Sequence, residues 1–190
     1  MNRIVKKKII MFTVAIISLL INTSVFAELV SIDVGLKIGE KAPKITALNT
    51  KGEKQTIKAL SASKGLILVF HRSADWCPFC KRHLIELNDY ADKFTALGYG
   101  VAALSYDSID ILKNFTQERK IRFPMLSDEK SATFSSYGIL NEQYKPGDMD
   151  YGIPYPGVVV INERGELIHS YFYQGFKKRV KFEQLYQQLQ

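Results

Sequence analysis

Between Leu66 and Phe70 the chain reads LILVF, an unbroken run of apolar, largely β-prone residues. So short a run predicts a strand covered on both faces, and therefore a sheet with layers packed above and below it. Beyond a connecting loop come Cys77 and Cys80. Cys80, Leu84, Leu87, Ala91 and Phe94 then recur at spacings of four and three. That spacing places them on one face of a helix over Pro78 to Leu97, stopped by Gly98.

The rest of the chain repeats the alternation. Val101 to Tyr106 reads as a second strand, and Asp107-Ser108 as the N-cap of a helix through Arg119 that turns Ile111, Leu112 and Phe115 inward. A short strand at Arg122 to Leu126 and a short helix from Ser131 to Tyr137, closed by Gly138, come next. After a loop rich in Pro, Gly, Asp and Tyr from Asn141 to Gly152, strands at Val158 to Ile161 and Leu167 to Tyr173 form a hairpin about Asn162 to Gly165. A last helix begins near Arg179. An N-terminal β-hairpin, Ile45 to Leu48 with Gln55 to Lys58, turns at Lys51-Gly52 ahead of the central strand. The expected fold is α/β, a thioredoxin-like sandwich with a central mixed β-sheet and helices on both faces.

The first residues carry Arg3, Lys6, Lys7 and Lys8, then a mostly apolar stretch from Ile9 to Ile21, then Val25-Phe26-Ala27. This pattern predicts a secretory signal peptide over residues 1–27, cleaved after Ala27. The apolar stretch is shorter than the roughly 20 residues that span a bilayer. Membrane contact is therefore expected only through this transient segment. The expected address is an exported protein, periplasmic in the first instance, with residues 28–190 as one domain. The leader holds four of the 26 basic residues and none of the 19 acidic ones, leaving 22 against 19. Most of the apparent basicity thus belongs to the export signal, and no basic cluster interleaved with aromatics supports nucleic-acid binding. Lys177-Lys178-Arg179 reads as a solvated helix start.

Cys77 and Cys80 are the two cysteines of the chain, three apart at the expected helix N-terminus. There the unpaired amides and the positive end of the dipole stabilise a thiolate on Cys77, and Cys80 lies on the same side, able to resolve a mixed disulfide. Pro78 suits the first turn, where a missing N–H loses nothing. Arg72, Lys81 and Arg82 either add positive potential or are solvated charges. An inert staple is the plainer reading of the pair, but so short a loop stabilises by only about 2 kcal/mol, against about 3 for a 15-residue loop. His71 and His83 flank the pair, which raises zinc or copper binding. Their spacing does not match a closed zinc site, and His83 reads as a surface helix residue.

As a set, several segments carry a resemblance over almost all of residues 28–190. They are Ile38-Gly39-Glu40-Lys41-Ala42-Pro43, the stretch from Val69 through Trp76-Cys77-Pro78-Phe79-Cys80, Phe123-Pro124-Met125-Leu126-Ser127-Asp128, Tyr137-Gly138, and Pro156-Gly157-Val158-Val159-Val160-Ile161-Asn162. The sequence resembles the alkyl hydroperoxide reductase and thiol-specific antioxidant superfamily, the peroxiredoxin-like branch of the thioredoxin fold. The pattern departs from a peroxiredoxin at the site. If Cys80 matches the peroxidatic cysteine, Cys77 stands where Thr is expected, Ser73 about where Pro is expected, and Pro156 where the supporting Arg is expected.

Pro156 matches instead the thioredoxin proline that precedes the hairpin strand. The resemblance implies a cis Tyr155–Pro156 bond near Cys77, with Trp76, Tyr155 and Pro156 shaping the substrate groove. The cysteine pair at the helix start points to a thiol-disulfide oxidoreductase using Cys77 and Cys80, without cofactor or metal, acting on a protein or small-molecule thiol or disulfide partner. A thiol-dependent peroxidase, taking hydroperoxide plus a reductant, is the alternative. A non-enzymatic copper or redox carrier is the third.

Overall fold

The computed structural model describes residues 32–190, so the leader read over residues 1–27 lies outside the described residues. The elements run β1 (Leu48–Asn49), α1 (Ile57–Leu60), β2 (Gly65–Phe70), α2 (Pro78–Ala96), β3 (Tyr99–Ser105), α3 (Ile109–Arg119), β4 (Met125–Ser127), α4 (Ala132–Ser136), β5 (Gly157–Asn162), β6 (Leu167–Phe172) and α5 (Phe182–Leu189). Hydrogen bonding joins the strands in the orders β1-β4-β3 and β2-β5-β6. The two runs meet side by side where the His71 amide donates to the Leu104 carbonyl at 3.0 Å. β3 and β4 are parallel, while β1-β4, β2-β5 and β5-β6 are antiparallel, giving the mixed sheet expected of a thioredoxin-like sandwich.

All six residues of β2 are buried, as its continuous apolar run requires. Its side chains alternate between two cores. Ile67 and Val69 enter a cluster built with Leu84, Leu87 and Phe94 of α2, Leu112 of α3 and Leu185 of α5. Leu66, Leu68 and Phe70 enter the other, with Leu60 of α1 and Phe134 of α4. Helices therefore cover both faces. Deleting a ring such as Phe94, which is fully buried, is the kind of change that costs about 3–5 kcal/mol.

Several boundaries differ from the sequence reading for identifiable reasons. The second arm of the N-terminal hairpin is shorter than expected. Leu48 bridges Lys54 and the Gln55 amide reaches the Ala47 carbonyl. The chain then turns helical because Thr56 caps α1, its hydroxyl accepting from the Ala59 amide at 3.1 Å. β4 begins after Pro124, which has no amide to donate to a ladder. α5 begins at Phe182, so Lys177-Lys178-Arg179 precedes the helix rather than opening it. Gly157 is fixed by close approach, since a Cβ there would overlap the Phe172 ring across the β5-β6 pair. No helix among the described residues is long and apolar enough to cross a membrane.

Candidate active site

β2 delivers the chain to a loop, residues 71–76, at the carboxyl end of the central strands, and one buried carboxylate shapes that loop. Asp107 accepts from the Ser73 hydroxyl at 2.8 Å, the Ala74 amide at 2.7 Å and the Ser105 hydroxyl at 2.8 Å. Ser73 Oγ in turn accepts from the amides of Asp75 at 2.9 Å and Trp76 at 3.3 Å. Burial pushes the Asp107 carboxyl up from its ordinary value, opposed by these three hydrogen bonds. The sequence reading placed Asp107 beside Ser108 at a helix cap. Ser108 is the cap, accepting from the Ile111 amide at 3.4 Å, and Asp107 faces the loop instead. Its signal was position, at the carboxyl end of a central strand, where α/β sheets build their sites.

The loop hands Cys77 to the N-terminus of α2. Cys77 is the N-cap, with Pro78 in the first turn, and its sulfur accepts from the Cys80 amide at 3.3 Å. Cys77 and Cys80 are disulfide-bonded, with Cα atoms 5.3 Å apart. Each residue is only 1% exposed. The Cys80 sulfur has its own donor, Nη2 of Arg179 at 3.8 Å. Arg179 is half-buried, and burial together with the charge of Arg72 lowers its pKa to about 10. Among the described residues no carboxylate lies within ion-pair distance of it. Arg179 was not singled out from the sequence as a site residue, because its approach to Cys80 is a contact across 99 positions.

Arg72 is likewise not a solvated charge. It is 8% exposed, its guanidinium lies 4.7 Å from the centres of both the Trp76 and Phe176 rings, and Nη2 faces Asp150 at 4.0 Å. Trp76 is held from its other side by Nε1 donating to the Tyr106 hydroxyl at 3.0 Å. Phe79, one residue before Cys80, meets Phe176 edge-on at 5.6 Å. Phe70 pairs with Gly157, so His71 and Pro156 are the next residues outward on β2 and β5. Tyr155 and Pro156 line a cavity of about 80 Å³ with Arg72, Tyr173 and Phe176. The expected groove residues Trp76, Tyr155 and Pro156 are thus joined through Arg72.

The flanking histidines are both buried, which corrects the reading of His83 as a surface residue. His83 stacks on Phe182 at 4.4 Å and its Nε2 meets the Val180 carbonyl at 3.0 Å. Burial first, then the charge of Arg179, lowers its pKa to about 3 despite that hydrogen bond. His71 is 2% exposed with no protein partner on either ring nitrogen, and the same two causes hold it at about 3. Both are neutral at pH 7. Among the described residues no three His, Cys, Asp or Glu side chains gather into a metal-binding group.

The mixed sheet, and the cysteine pair opening the helix after its first central strand, define a thioredoxin-fold protein with a redox-capable disulfide. The chain belongs to the AhpC/TSA family, whose model matches residues 38–170. It is 25% identical over 169 residues to the thiol-disulfide oxidoreductase ResA of Bacillus cereus, covering 87% of this chain and 88% of that protein. It is 32% identical over 144 residues to the putative peroxiredoxin sll0755 of Synechocystis, covering 71% and 68%. Among solved structures, peroxidoxin BcpB from Mycobacterium tuberculosis superposes with a TM-score of 0.69 at 17% identity, over 81% of this chain and 96% of that one, a likeness of fold.

Proposed function

We propose that this chain is a thiol-disulfide oxidoreductase in which Cys77 exchanges with a partner and Cys80 resolves the product. One observation carries the reading: the two cysteines form a disulfide at a helix N-terminus, and each sulfur has a separate donor, the Cys80 amide for Cys77 and Arg179 for Cys80. In the reduced protein the Cys77 thiolate attacks one sulfur of a partner disulfide. A Cys77–partner bond forms, and the partner's other sulfur leaves as a thiolate that takes a proton from solvent. Cys80 then gives up its proton and attacks the Cys77 sulfur, closing the intramolecular disulfide and releasing the partner's second thiolate. The partner gains two electrons and the pair loses two. Run from the oxidised pair, the same steps oxidise a partner dithiol. The match to ResA, 25% identical but spanning 87% of this chain and 88% of that protein, supports this assignment.

The scaffold serves the same chemistry. Trp76 and Phe176 are 39% and 43% exposed while the cysteines are buried, so a partner meets these rings before it reaches sulfur. In this reading Trp76, Tyr155 and Pro156 form the wall against which the partner's backbone lies. The leader expected over residues 1–27 would send the protein across a membrane, with the periplasm as its proposed site of action, where the pair can cycle away from the reducing cytosol.

Arg179 favours a second reading. A peroxiredoxin needs a guanidinium beside its reacting sulfur, and although Pro156 stands at the expected position, Arg179 reaches Cys80 from beyond β6. There a Cys80 thiolate would attack the terminal oxygen of a hydroperoxide, releasing an alcohol on protonation and leaving a sulfenic acid. Cys77 would condense with it to give the disulfide and water, and an external dithiol would restore the pair. The two readings separate in one assay. With a dithiol reductant, reduction of a protein disulfide at rates well above hydroperoxide consumption supports exchange. Hydroperoxide turnover that dominates, and disappears in Cys80→Ser, replaces it with the peroxidase.

A further inference from the structure

The basic run read from the sequence as a solvated helix start lies beside the disulfide. Lys177, Lys178, Arg179 and Lys181 face Arg82 of α2 across an open cavity of about 570 Å³, with Phe79 at the end nearer the cysteines. The one carboxylate in its lining, Glu86, accepts from the Phe182 amide at 3.2 Å, and the histidine there, His83, is neutral. Among the described residues none of the five cations has a carboxylate within ion-pair distance. Arg179 is the link between this groove and the chemistry, since Nη1 donates to the Lys178 carbonyl at 2.7 Å while Nη2 reaches Cys80.

We infer that this groove docks an acidic polypeptide segment of the partner, seating Asp and Glu side chains on Arg82, Lys177, Lys178 and Lys181 and so leading the partner's cysteine sulfur to the pair. The inference rests on the exchange reading and names its substrate class. Two features select a polypeptide rather than a small anion. The α2 side of the groove runs from Phe79 to Glu86, about 10 Å along a helix axis, the length of about three extended residues. The Phe79 and Phe176 rings, edge-on at 5.6 Å with Lys177 Nζ 5.8 Å from each, give the end nearest sulfur an apolar lip suited to a peptide backbone. The charge is also local. Residues 28–190 carry 22 basic against 19 acidic side chains, and five of the basic ones converge here against one acid. A field of this kind raises encounter rates about tenfold or more at low ionic strength, and salt abolishes it as the screening length falls to about 3 Å at 1 M.

The test compares two oxidised peptides with the same disulfide, one flanked by Asp and Glu and the other by Lys, with oxidised glutathione as the small acidic probe. Low salt is expected to favour the acidic peptide about tenfold or more over the basic one, a ratio that approaches one at high salt and falls below one in the triple variant Lys177→Glu, Lys178→Glu, Lys181→Glu, which turns the groove acidic. Equal rates at low salt, a preference that survives the triple reversal, or an equal low-salt gain for oxidised glutathione overturns the docking assignment while leaving exchange intact. If no disulfide is turned over, including hydroxyethyl disulfide, it is the exchange reading that fails. Docking is then judged alone, from binding of a cysteine-free acidic peptide to the oxidised protein followed by the fluorescence of Trp76, the single tryptophan. Salt-sensitive binding upholds the groove, and no binding at low salt overturns it.

Discussion

Arg179 and Cys80 are 99 positions apart in the chain, yet Nη2 of the one lies 3.8 Å from the sulfur of the other. A cation at this distance stabilises the reduced pair, in which a thiolate can form, more than the neutral disulfide. At 4 Å the Coulomb energy is about 4 kcal/mol for an effective dielectric of 20, and solvent at a half-buried guanidinium removes much of it. Arg179→Ala is therefore expected to shift the thiol-disulfide equilibrium about tenfold toward the disulfide, lowering the potential by about 30 mV. Arg179→Lys should recover part of that shift. Equilibration in a glutathione redox buffer measures it, and an unchanged potential would show that Arg179 does not act on the pair.

Asp107 organises the loop that presents Cys77. Replacing it with Ala leaves the donors of Ser73, Ala74 and Ser105 without their acceptor in a buried site. The expected loss is about 3 kcal/mol, since each stranded buried donor costs about 1–3 kcal/mol and the three are not additive. Ser73→Ala removes one of the three donors to Asp107 together with the relay to the Asp75 and Trp76 amides, and should cost about 1–2 kcal/mol, less than Asp107→Ala. Urea unfolding reads both, and exchange rates should fall in the same order.

The buried histidines set an acid limit on the fold. The unfolded chain takes up a proton on each near pH 6.5, whereas the folded chain resists until about pH 3. The stability they contribute is complete above 6.5 and is lost as the pH falls toward 3, because the unfolded state then binds more protons. Between pH 7 and pH 5 the loss is about 2 kcal/mol per histidine. Asp107, whose carboxyl is shifted upward, acts in the opposite sense and softens it. In His83→Gln, which can still meet the Val180 carbonyl, the pH dependence of the urea midpoint should fall by about half. A slope identical to wild type would mean that His83 takes up its proton at the same pH in the folded protein as in the unfolded chain.

How legible each feature was depends on how local its cause is. The strand at Leu66 to Phe70 and the helix from Pro78 follow from short-range apolar spacing, and the cysteine pair was visible because its two members are three apart. Gln55 to Lys58 reads as a strand because four residues carry no period, whereas Ile57 and Lys58 open α1; the deciding contact, the Thr56 cap, is a hydrogen bond that composition does not display. His83 lies one position away from the apolar stripe Cys80, Leu84 and Leu87. It is buried because α5 brings Phe182 over it, 99 residues later in the chain. Arg72 and Arg179 read as solvated for the same reason, since each is covered by distant segments: Arg72 by Phe176 and Asp150, Arg179 by Cys80 of α2.

Trapping the mixed disulfide tests the assignment of Cys77 and Cys80 most directly. Cys80→Ser, incubated with an oxidised peptide and analysed by mass spectrometry after proteolysis, is predicted to accumulate a peptide adduct on Cys77, while Cys77→Ser forms little adduct on Cys80. An adduct that forms readily on Cys80 in Cys77→Ser, with Cys80→Ser inert, would contradict the account and make Cys80 the attacking sulfur.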